Sequence, residues 1–141
     1  MDANKIINKL GMTSVMLVLS VYGLLGYELA VTSIAVMVVT KTIIQFILWG
    51  AHGGSISKWD EYKINFTPSD WIKYIDSMKV IVFPETPFKL KFLINITWFI
   101  ATIVLYKSSM VGISIAYLVS TVMIQTMMYT LRRLVREEIG G

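Results

Sequence analysis

The chain has no cysteine, a single histidine and no carboxylate inside any of its long apolar runs. Without thiols there are no disulfides, no Cys-ligated zinc, no iron–sulfur cluster and no thiol catalysis. The lone histidine, His52, could share a metal only with Asp60 and Glu61, and the glycines that follow it fix no ligand geometry. No phosphate loop, nucleophile elbow or dinucleotide fingerprint occurs. The sequence therefore assigns no catalytic, cofactor-binding or metal-binding residue, and it reads as a protein that is not an enzyme. Charge is scarce as well: 16% of residues are charged, against about 25% in an ordinary soluble domain. The charges present lie mostly in the two tails and one middle segment.

What remains is apolar. Residues 10–25, 29–49, 90–106 and 110–131 form four runs that take up more than half of the 141 residues. A helix needs roughly 20 apolar residues to cross about 30 Å of hydrocarbon. The second and fourth runs meet that length. The first and third are shorter, and Lys9, Lys89, Lys91 and Lys107 at their ends are placed to snorkel to the interface. Continuous apolar runs exclude barrel strands, which alternate, and backbone groups in lipid must be satisfied within the segment. The expected fold is an all-α membrane protein: four transmembrane helices in a single integral domain, arranged as two helical hairpins around Gly26-Tyr27-Glu28 and Lys107-Ser108-Ser109. The first run follows Lys5 and Lys9 as a signal peptide would. No small-x-small cleavage site follows, so the span is expected to be retained.

The cations set the orientation. Lys5, Lys9, Lys58, Lys63, Lys73, Lys79, Lys89, Lys91, Arg132, Arg133 and Arg136 all fall on the side that holds both termini and the middle segment. Only Lys107 lies at the opposite turns, and Lys41 lies within a span. By the positive-inside rule both termini face the cytoplasm, or the matrix or stroma in an organelle. The net charge of +4 is then a topology signal rather than a nucleic-acid signal.

The middle segment, residues 51–88, carries Trp59, Tyr62, Phe66, Trp71, Tyr74 and Phe83 among its charges, a composition suited to the headgroup level. His52-Gly53-Gly54-Ser55 reads as a flexible exit from the second span. Thr67-Pro68-Ser69-Asp70 reads as a helix start, with Thr67 as cap and Pro68 in the first turn. Trp71, Ile75, Met78 and Val82 then share one face, and Pro84 and Pro87 close the helix. The expectation is an amphipathic interfacial helix between the two hairpins. Trp59, Trp71 and Tyr74, with Arg132, Arg133 and Arg136 where the last helix leaves the membrane, would anchor it to anionic headgroups.

Polar residues at membrane depth are the best pointers to function. Lys41 is nine residues from Gly50, roughly 13 Å along a helix rising 1.5 Å per residue. Asn95 and Gln125 lie roughly 8–9 Å below the same surface, with Gln45 at similar depth and Ser14 near it. Lys41, Gln45, Asn95 and Gln125 are thus candidates for one polar layer, either as hydrogen-bond glue between helices or as a lined path. Gly112, Ala116 and Ser120 form a small-xxx-small stripe suited to close helix packing. In size and number of spans the chain resembles the small four-helix multidrug transporters, but it has no glutamate in its first span, where that family carries one. The favoured expectation is a non-catalytic inner-membrane subunit of a larger membrane complex, such as a secretion, conjugation or respiratory machine. The alternative is a small homo-oligomeric channel, holin-like pore or transporter, and a third option is an immunity or exclusion protein. The expected partners are a bilayer with anionic headgroups and other membrane subunits or copies of the chain, with no nucleic acid and no cofactor.

Overall fold

A computed structural model describes residues 2–140, all-helical and without a strand among them. The elements are α1 (Ala3–Leu24), α2 (Glu28–Ser57), α3 (Trp59–Asn65), α4 (Pro68–Val82), α5 (Phe88–Lys107) and α6 (Val111–Gly140). Of these, α1, α2, α5 and α6 are long and apolar enough to cross a membrane, as in a multi-pass membrane protein. The four apolar runs coincide with these helices to within one residue at the inner turns, and α2 and α6 continue well past them.

The turns are closed by local chemistry. After α1, Gly26 takes φ 91°, a left-handed conformation that costs glycine little. Its N–H donates to the carbonyl of Gly23, and the N–H of Tyr27 donates to that of Tyr22. The Tyr22 and Tyr27 rings then meet edge to face at 5.4 Å, the side-chain contact that accompanies this type of helix end. The turn after α5 repeats the pattern with Ser109 at φ 65° and the N–H of Met110 donating to the carbonyl of Leu105.

The described residues divide into two compact units. The first combines residues up to 43 with 85–119. Its core is aliphatic: Met16, Ile34, Val38, Ala101, Val104 and Leu105 are buried, with Tyr117 beside them. Helices α1 and α5 pack side by side. Lys9 meets Thr86 near the start of both, and Gly23 lies against Val104 further along both, so the two run parallel. A Cβ on Gly23 would sit 2.7 Å from Cγ1 of Val104 and 3.3 Å from Cδ1 of Ile34. Only glycine permits this approach. Ser114 Oγ donates to the Thr102 carbonyl at 3.1 Å, joining α6 to α5 with both residues buried.

The second unit combines residues 44–84 with the chain from Ser120 onward. The exit from α2 is helical, where the sequence suggests a loose stretch. The helix runs unbroken through His52, Gly53 and Gly54 to Ser57, and Lys58 still donates to the Gly54 carbonyl. The physical reason is packing: Met127 Cε lies 3.3 Å from where a Gly53 Cβ would stand, so the glycine admits a neighbouring side chain. Helix α4 begins as its sequence indicates. Thr67 Oγ1 accepts from the Asp70 N–H at 3.2 Å and donates to the Asp70 carboxylate at 2.7 Å. Its apolar face, Ile75, Met78 and Val82, is buried in one cluster with Trp59, Leu131 and Val135.

Candidate functional site

In the first unit Lys41, near the middle of α2, is held by aromatic rings. Lys41 Nζ on α2 lies 3.9 Å from the centroid of the Trp98 ring on α5 and 5.5 Å from that of Tyr117 on α6. Those two rings stack on each other at 6.1 Å. The negative faces of π-systems attract a cation, the more so when water is excluded. Lys41 is thus a three-helix clasp. Asn95 lies in the same unit but is exposed, and its side-chain amide makes no hydrogen bond among the described residues. Ser14 is exposed too, and its hydroxyl returns to the Leu10 carbonyl of its own helix.

In the second unit Gln45 is buried. Its Oε1 accepts from Ser120 Oγ at 2.7 Å and lies 3.4 Å from Thr121 Oγ1. Gln125 is exposed and has no hydrogen-bond partner among the described residues. The four residues of the expected layer therefore have three kinds of environment: an aromatic clasp for Lys41, a hydroxyl partner for Gln45, and open surface for Asn95 and Gln125. The small-residue stripe is equally uneven. Gly112 is exposed with open space where its Cβ would be, Ala116 is half-buried, and Ser120 is committed to Gln45.

The expected anchors also differ from one another. Trp59 is 5% exposed and lies inside the second unit's core. Around it Tyr62, Phe66, Trp71 and Tyr74 form a network of rings whose centroids lie 5.2–6.4 Å apart. The Tyr74 hydroxyl is buried in this network without a hydrogen-bond partner among the described residues. Trp71 Nε1 donates to Glu138 at 3.3 Å, and Lys63 donates to the same carboxylate. These hydrogen bonds, that from Lys63 first, hold Glu138 below the usual carboxylate range, and the bond to Glu138 raises Lys63 in turn. Arg132 Nε donates to the Val82 carbonyl at 2.9 Å, closing the end of α4. Arg133 pairs with Glu137 one turn on, and Arg136 lies 5.5 Å from the Phe83 ring. Arg133 and Arg136 are exposed.

The sequence reading missed the Ser114–Thr102 link, the close approach at Gly23 and the rings that hold Lys41. Small hydroxyl residues and glycine within apolar runs were the available signal for the first two. Comparison with protein-family models, with curated proteins and with solved structures finds no match.

Proposed function

We propose that the protein is a non-catalytic membrane subunit that assembles laterally with other membrane chains, or with copies of itself, in a larger complex. The observation that carries this reading is the pair Asn95 and Gln125. Both lie in helices able to span a membrane, both are exposed, and neither has a hydrogen-bond partner among the described residues. An amide without a partner in hydrocarbon costs several kcal/mol. At roughly 8–9 Å of depth, neither short side chain reaches the interface. A partner helix supplying a hydrogen bond removes that cost, and the exposed Gly112 offers a place for close approach.

In the same reading, the membrane spans form two helical hairpins. The opposed contacts Gly23–Ile34 and Trp98–Tyr117, and the two short turns, support this. Both termini and residues 51–88 lie on the cytoplasmic side, an orientation supported by the parallel course of α1 and α5 and by the one-sided cations. The segment 51–88 sits at the headgroup level, with Arg133 and Arg136 facing anionic lipid. A pore lined by Lys41 is the weaker reading, because that ammonium is already engaged by two rings.

The test is mild-detergent extraction of the tagged full chain from its native membrane, followed by mass analysis, alongside ion flux in liposomes holding the purified chain alone. Stoichiometric copurification of other membrane chains, or a defined homo-oligomer, without flux is the expected result. A monomer in native extracts overturns the proposal, and flux from the chain alone favours a pore.

A further inference from the structure

A groove of about 400 Å³ opens on the first unit between α1, α2 and α5. Met12, Met16, Met37, Ile94 and Trp98 make its apolar lining. Thr13 and Thr97 also line it, but their hydroxyls donate to the carbonyls of Lys9 and Leu93 in their own helices, so their donors are already used. Three of the apolar side chains are methionines, which adapt to a flexible occupant. From Lys9 to Met16 the groove descends roughly 10 Å along α1 at 1.5 Å per residue.

Only one end is polar. Lys9 and Asn8 stand there, and Lys9 Nζ donates one hydrogen bond to Thr86 Oγ1 at 2.9 Å. An ammonium has three donors, so two remain for a ligand, and Thr86 fixes the direction of the side chain. A fixed cation above an adaptable apolar slot has the polarity of a phospholipid: an anionic headgroup at the membrane surface and an acyl chain beneath it.

We infer that this groove is a binding site for one anionic glycerophospholipid, its phosphate on Lys9 and one acyl chain along Met12, Met16 and Ile94. The site rests on α1 and α5 crossing the membrane, but not on the assembly proposed above.

The experiment reconstitutes the full chain in vesicles of phosphatidylcholine containing a trace of phosphatidylglycerol with a photoactivatable group on its acyl chain. After irradiation, adducts are mapped by peptide mass analysis. Adducts should concentrate on Met12, Met16 and Ile94. Unlabelled phosphatidylglycerol should compete at least fivefold better than phosphatidylcholine, and Lys9→Gln should erase that preference while helix content is unchanged. If Lys9→Gln fails to fold, the competition on the unmodified chain still decides. Adducts spread evenly over all exposed helix faces, or equal competition by the two lipids, overturn the inference. So does occupation of the groove by a second copy, seen as chain-to-chain crosslinks through Met12. Failure of the chain to resist alkaline extraction from the vesicles would instead refute membrane insertion, on which the site depends.

Discussion

The two units of this chain are held together by different means. The first is closed by small residues: Gly23 lets α1 meet Val104 on α5, and Ala101, Ser20, Thr97 and Ser114 are all buried. The second is closed by large rings and charges: Trp59, Trp71, Tyr74, Tyr62 and Phe66, with Glu138 bonded to both Trp71 and Lys63. The contrast matches the surroundings that the proposed arrangement gives each. Between helices in lipid, burying apolar area gains little, so close packing and hydrogen bonds must supply the attraction. Near water, aromatic burial is driven by the hydrophobic effect, and an ion pair can stay partly hydrated.

The largest break in this comparison should come from the second unit's core. Leu131 is fully buried among Met78, Val82 and Val135. Leu131→Ala should cost about 2–5 kcal/mol, read as faster trypsin cleavage at Lys63, Lys73 and Lys79. Undiminished resistance to cleavage would mean that α4 is not held by this cluster.

Next is the small-residue contact. Gly23→Ala places a methyl 2.7 Å from Val104 and should cost about 1–3 kcal/mol by overpacking, measured by circular dichroism during titration with denaturing detergent. Gly11 has no atom within 4 Å of its missing Cβ. Gly11→Ala should therefore match the parent or exceed it by up to about 1 kcal/mol. Equal effects at the two positions would remove the argument for close packing.

Lys41→Met tests the clasp. Loss of the cation over Trp98 should cost about 0.5–2 kcal/mol and shift tryptophan emission, while Lys41→Arg keeps most of both. A neutral effect of Lys41→Met would make the ring contact incidental.

The smallest effect is electrostatic and confined to the second unit. Glu138 is held below its ordinary value of 4.5, so its contribution is present above that value and is lost as pH falls through the folded one. Lys63 is raised above 10.5. Its contribution is present below that value and is lost as pH rises through the folded one. The difference in thermal stability between the parent and Glu138→Gln should be flat between these limits and shrink at each end.

The spans were legible because length and hydropathy alone decide them, and the start of α4 because Thr67, Pro68 and Asp70 carry their own cap chemistry. The straight course of α2 through Gly53 and Gly54 was not. A glycine pair signals a hinge when only local preference is read, and Met127 is 74 residues away in sequence. The setting of Lys41 was half legible. Its depth showed that it needs a protein environment, but sequence spacing favoured amides as its neighbours, and aromatic rings in an apolar run give no polar signal. Asn95 and Gln125 were picked out by the same reasoning, yet their exposure became visible only in the fold.

That exposure is the centre of the account, and native mass spectrometry of the Asn95→Leu, Gln125→Leu double variant beside the parent chain tests it most directly. The account predicts that the parent leaves the membrane in a complex of defined mass, while the double variant, with the same helix content, leaves it as a monomer. A complex of unchanged mass in the double variant would contradict it.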